Sequence, residues 1–180
     1  MTNKKAILKR KEYSAKKCKE MEGHDGYVIR FDLCHKGKKV AEIFDGGYGG
    51  EIEIAWVYYD NKKEEWEVYK EGAKEAFDVL VEQMGEYEFM GEMSKYNDEI
   101  LVMDIYEETR LTKQLKSLLK RRVLFINQNG KCSELSWKGC KSVTQGHIDG
   151  AKKHNSEIKV TLNELPFQEA LEQFKTATSK

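Results

Sequence analysis

The chain has 180 residues, an amount of sequence suited to one domain. Charged side chains make up 34 % and hydrophobic ones 39 %, against a usual charged share of about a quarter, so a highly charged surface surrounds an ordinary core. The longest apolar runs fall far short of the roughly 18 residues of a membrane span, and a single proline excludes a collagen-like or Pro-rich chain.

The N-terminal 22 residues are basic and weakly periodic, fitting a short helix or strand. They contain no apolar stretch of the kind a secretory signal needs. From Asp25 the pattern turns to strand. Tyr27, Ile29, Phe31 and Leu33 alternate with Val28, Arg30, Asp32 and Cys34, and a turn follows at His35–Lys38. Val40, Glu42 and Phe44 alternate with Ala41 and Ile43. The run Asp45-Gly46-Gly47-Tyr48-Gly49-Gly50 reads as a hairpin loop, and Ile52, Ile54, Trp56 and Tyr58 mark a third strand. A three-stranded antiparallel meander over 26–59 is therefore predicted.

A helix is predicted from about 62 to 84, with Asn61 as N-cap and Glu64 closing a capping box. Trp66, Tyr69, Ala73, Ala76, Phe77, Leu80, Val81 and Met84 form its core face, and Gly85 ends it. Residues 85–96 read as a loop. A second helix spans about 97 to 122, broken near Thr109. Val123–Ile126 is a buried strand, Asn127–Gly130 a turn, and Cys132–Trp137 the returning strand. A weak helix over 142–154 and a strand at Ile158, Val160 and Leu162 follow. Asn163 caps a last helix with Pro166 in its first turn. The order predicts an α+β fold with a mainly antiparallel sheet, the N-terminal meander and packed amphipathic helices. It is read as a single domain over 1–180, with lobes at 1–90 and 97–180 as a weakly marked division.

The zero net charge conceals segregation. Residues 1–20 carry 8 basic and 2 acidic side chains, residues 21–111 carry 10 and 23, and residues 112–180 carry 13 and 6. Such asymmetry bears on partners rather than fold. The bland reading is internal neutralisation, with the basic ends folded onto the acidic middle.

Cys18, Cys34, Cys132 and Cys140 lack any C-x-x-C spacing, which fits free thiols in a reducing cytoplasm. Cys140, His147 and His154 recur every seven residues, wider than the usual zinc pairs. No metal or other cofactor is expected. P-loop, nucleophile-elbow and H-E-x-x-H motifs are absent, which points away from an enzyme without excluding a dispersed site.

On the predicted 62–84 helix, Glu64, Glu67, Glu71, Glu75, Asp78 and Glu82 fall within about 80° of arc. Their ordinary role is a solvated face; their functional role is a rod of carboxylates that meets the basic surface of a host protein or ribonucleoprotein. The rival pattern is basic. Lys113, Lys116, Lys120, Arg121 and Arg122 near one helix end, with Lys138 and Lys141 beside Trp137, suit a DNA- or RNA-binding module. A metal-dependent nuclease using Asp45, Glu51 and Glu53 is a third reading.

The stretch KGKKVAEIFDGGYGGE at 36–51 resembles small accessory proteins of phages and mobile elements. The segment from Val123-Leu124-Phe125 through Asn129-Gly130-Lys131 to the 142–162 helix and strand has a similar character. Together they cover about a third of the chain. The resemblance implies a cytoplasmic protein of a bacterial host cell that inhibits a defence complex, in the manner of anti-CRISPR proteins. That group shares no catalytic motif, so no residue role is carried over.

Overall fold

Alternation builds the N-terminal sheet. Tyr27–His35 (β2) pairs antiparallel with Lys38–Asp45 (β3), and β3 with Glu53–Ala55 (β4). Phe31, Leu33, Ala41 and Ile43 are buried on one face, as the period-2 pattern predicts. The described structure, a computed structural model, covers residues 4–24, 26–89 and 91–178, with Phe89 described by backbone only. Asp25, where the alternation begins, and Met90 in the expected 85–96 loop lie outside the described residues.

The α+β class holds: helices accompany strands that pair antiparallel throughout the described residues. The meander is present, though its third strand ends at Ala55 rather than running on through Tyr58, and it gains a fourth strand: a short helix, Lys4–Arg10 (α1), precedes Tyr13–Glu22 (β1), and the sheet order is β1-β2-β3-β4. A bulge between Lys16 and Lys19, with Lys17 at φ +51, adds a residue to β1. Ala15 is buried before the bulge, Cys18 is half-buried within it and residues 19–22 are exposed, so the alternation is interrupted midway.

The chain divides into two compact units, residues 1–109 and 110–180. In the first, Val57–Asp60 (β5) and Glu65–Val68 (β6) form a separate two-stranded hairpin. Ala73–Met84 (α2) then buries Ala73, Phe77, Leu80 and Met84 against the sheet. Gly85 ends it at φ +73. Residues 85–96 are not a plain loop: Glu86–Phe89 (β7) and Glu92–Lys95 (β8) pair as a second small hairpin. Asp98–Arg121 (α3) starts at Asn97, whose Oδ1 accepts the Ile100 amide N–H at 2.8 Å. It runs unbroken through Thr109, whose hydroxyl donates to the Ile105 carbonyl at 2.9 Å and accepts the Ala15 amide at 3.2 Å. Leu101, Val102, Ile105 and Tyr106 of α3 complete the first core, with the Tyr106 and Phe31 rings stacked at 5.0 Å.

In the second unit Val123–Asn127 (β9) lies between Cys132–Leu135 (β10) and Ile158–Thr161 (β11). Leu124 and Ile126 pack with Leu111 and Leu115 of α3 and with Ala170, Leu171 and Phe174 of Phe167–Thr178 (α5). Val123 packs instead with Ile148 and Ala151 of Gln145–His154 (α4). Both faces of β9 are covered, which accounts for its uninterrupted apolar run. Asn163 does not cap α5. Its Oδ1 accepts the Leu124 amide N–H at 2.8 Å, and its Nδ2 donates to the Leu119 and Arg122 carbonyls at 3.1 and 3.0 Å. It thus closes the end of α3 and the start of β9 together. The Pro166 carbonyl accepts the Ala170 amide and opens α5.

Candidate binding surfaces

The predicted rod of six carboxylates is not present, because residues 62–72 are not helical. Val57, Tyr58, Tyr59, Trp66 and Val68 favour strands, and Asp60 makes the turn between them. Asp60 Oδ1 accepts the Lys62 amide, and its carbonyl accepts those of Lys63 and Glu64. Glu64 sits in that turn at φ +55, with no capping role. Glu67 lies on β6, where Tyr58 donates to it at 2.6 Å and Lys63 pairs with it. These partners hold the Glu67 carboxyl below its ordinary pKa, Lys63 foremost. Glu71 lies in the turn before α2. Glu75, Asp78 and Glu82 remain on one helix, where Lys74 pairs with Asp78 at 2.7 Å.

Four of the six therefore stay available. Glu64, Glu71, Glu75 and Glu82 are exposed and carry no side-chain hydrogen bond or ion pair among the described residues. Glu82 also borders a groove of about 470 Å³ with Glu86, Lys95 and Tyr96. The first unit holds 17 basic and 25 acidic side chains, a net charge of −8. The internal neutralisation expected of the basic N-terminus is real but local: Arg10 pairs with Glu108, and Lys17 with Asp32 at 3.0 Å.

Trp66 is not a core residue. Register pairs Val57 with Val68 and Tyr59 with Trp66, so all four share one hairpin face. All four are exposed, Trp66 at 70 %. The Tyr59 and Trp66 rings meet edge to face at 5.5 Å. The opposite face of the hairpin packs inward, with Tyr58 stacked on Tyr69 at 4.9 Å. The signal for this surface is the short alternation on either side of Asp60–Glu64: the side before the turn reads as strand, while the side after it is masked by glutamates at helical spacing.

Tyr69 leads to a polar cluster on the outer face of the sheet. Asp32 and Glu42 stand opposite each other on β2 and β3. Lys39 Nζ lies 2.7 Å from Asp32, 2.9 Å from Glu42 and 4.3 Å from the Tyr69 ring centroid. The Lys39 hydrogen bond, with help from Arg30, lowers the Glu42 carboxyl to about 2. Burial alone would raise the Asp32 carboxyl, but Lys39 and Lys17 hold it below its ordinary value. Burial opposes the charge on Lys39, yet the bonds from Asp32 and Glu42 raise its pKa. Each group here is satisfied by its neighbours.

The basic residues divide likewise. Arg122 pairs with Glu134, Arg121 donates to Ser117 at 3.0 Å, and the Lys116 ammonium lies 5.1 Å from the Phe167 ring centroid. Lys113 is engaged as well. Lys120, Lys138 and Lys141 are exposed with no side-chain partner among the described residues. The Val143 amide donates to the Lys120 carbonyl at 2.9 Å, which ties the loop carrying Lys138 and Lys141 to the end of α3. The two basic segments thus meet. The second unit holds 14 basic and 6 acidic side chains, a net charge of +8.

His147 and His154 face the same cavity from α4, as their spacing of seven predicts. Cys140 Sγ instead donates to the Ser142 carbonyl at 3.3 Å. Among the described residues no group of three or more His, Cys, Asp or Glu is placed to hold a metal ion, and Asp45, Glu51 and Glu53 are not gathered into one. Asp45 Oδ1 accepts the Gly47 amide at 2.8 Å within the loop. No disulfide joins the described cysteines, and burial raises the thiol pKa of Cys34 and Cys132. No described helix is long and apolar enough to cross a membrane. Compared with known proteins, the chain matches no family model, no curated protein and no solved structure.

Proposed function

We propose that the chain is a non-enzymatic binding protein of a phage or mobile element, acting in the bacterial cytoplasm. It obstructs a host nucleic-acid-handling defence complex, in the manner of an anti-CRISPR inhibitor, by docking its acidic unit on a cationic protein surface. The observation that carries this reading is the outward face of the β5–β6 hairpin. Two apolar cross-strand pairs stand in water within a unit of net charge −8. Protein interfaces centre on buried aromatic anchors ringed by polar groups. Tyr59 and Trp66 are such anchors, and Glu64 and Glu71, on the same hairpin and the turn after it, supply negative rim charge. The rim steers encounter with a basic partner, and the aromatic pair holds it.

The test is inhibition of target cleavage by purified CRISPR effector ribonucleoproteins. The wild-type chain is expected to inhibit at least one. Trp66→Ala removes a hot-spot side chain that contributes about 2 kcal/mol, so inhibition should weaken about thirtyfold. Reversal of Glu64, Glu71 and Glu75 to lysine should slow association and flatten its salt dependence. Equal inhibition by a folded Trp66→Ala variant, or no inhibition of any effector by the wild type, would overturn the reading.

A further inference from the structure

The second unit carries a cavity that its own fold leaves open. Trp137 follows β10 on a turn closed by the Cys140 amide donating to the Trp137 carbonyl at 3.1 Å. Its indole is 38 % exposed and lies 4.8 Å from the His147 ring, tilted by 53°. Between this loop and α4 is a cavity of about 390 Å³, lined by Leu135, Trp137, Gly146, His147, Gly150 and His154 among others. That volume falls in the range of small-ligand sites. The walls are mostly apolar or aromatic, with Asn155 and the two histidines as the polar groups. His147 Nδ1 accepts the Thr144 amide N–H at 3.1 Å, so the ring's remaining donor is Nε2–H.

The floor is helix backbone. Glycine costs a helix about 0.5–1 kcal/mol relative to alanine, and α4 spends two of its ten residues on it here. Nothing in the fold requires this at Gly150, where an added Cβ would meet no atom within 4 Å. At Gly146 it would meet only Thr144 Oγ1, at 3.8 Å. The cations beside the cavity are uncommitted. Lys138 adjoins Trp137, Lys141 lies on the same loop, and Lys153 flanks the Gly146–Gly150 side of α4 at 100° per residue. All three are exposed and have no ion pair or side-chain hydrogen bond among the described residues. The unit around them has a net charge of +8.

A cavity walled by an indole and an imidazole, with partnerless lysines on the adjoining loop and helix, suits a planar base carrying phosphate on either side. We infer that this cavity takes an unpaired base of a single-stranded nucleic acid. The base stacks on Trp137, and Lys138, Lys141 and Lys153 contact the flanking phosphates. The site is independent of the acidic hairpin and is served by different residues.

Fluorescence anisotropy of labelled dT12, rU12 and a 12-base-pair duplex, titrated with the full chain at 50 and 200 mM salt, tests it. Binding of either single strand, tighter than the duplex and weaker at the higher salt, is expected. Trp137→Ala should weaken it tenfold or more. Gly150→Leu fills the cavity without a clash at Cβ and favours the helix, so it should weaken binding equally while the melting temperature stays level or rises. Absence of single-strand binding at 50 mM salt would overturn the inference. So would a duplex bound as tightly, or a Gly150→Leu variant that binds like the wild type.

Discussion

Asn163 shows how much one side chain can hold. It satisfies the Leu124 amide at the start of a buried strand and two carbonyls at the end of α3. Alanine there leaves a buried donor unpaired, and a loss of about 2 kcal/mol is expected in chemical denaturation. The sequence identified Asn163 as a capping residue by type but assigned it to the helix that follows. A side chain's reach across 39 residues to Leu124 has no trace in local pattern. Lys39 is a second such case, since its two acidic partners come from different strands. Because the Glu42 pKa falls to about 2 on folding, its stabilisation is complete above its unfolded value near 4.5 and fades as pH drops toward 2. Lys39→Met should cost about 2–4 kcal/mol at pH 7, and the variant should lose less stability than the wild type between pH 7 and pH 3.

Among the elements, legibility followed length and parity. The alternation of β2 and β3, the long apolar face of α3 and the 73–84 half of the expected 62–84 helix were plain in the sequence. The acidic stripe was not what it looked like, because glutamates spaced by three and four in 64–71 also fit a turn and a short strand. Propensity decides there. Tyr and Val on β5 and Trp and Val on β6 prefer extended backbone, and they leave a face that no helical wheel shows. β1 was indistinct, and its stretch fitted a helix or a strand alike, because the bulge interrupts the alternation and residues 19–22 are all exposed. Helix α4 was legible despite its glycines, and they remain its weak point. Gly150→Ala should raise stability by about 0.5–1 kcal/mol in thermal or chemical melts, for no atom opposes the added methyl group.

For the whole molecule, the charge blocks read from the sequence survive folding in altered form. The basic N-terminus joins the acidic unit and only partly offsets it, leaving −8 in one unit and +8 in the other. Surface charge acts locally over roughly a Debye length, about 10 Å at 0.1 M salt. A protein with no net charge would ordinarily pass through ion exchangers at neutral pH. This one should be retained by both anion and cation exchangers at low salt and released from each by moderate salt. Passage through either column at 20 mM salt would show the blocks to be screened within the molecule.

The same separation of sign bears on how the protein is handled in the test tube. Opposite blocks on neighbouring copies attract when few counterions are present, and no net repulsion keeps the copies apart. Added sodium chloride should therefore dissolve the protein rather than precipitate it. Dialysis into dilute buffer should cloud the solution, and restoring the salt should clear it.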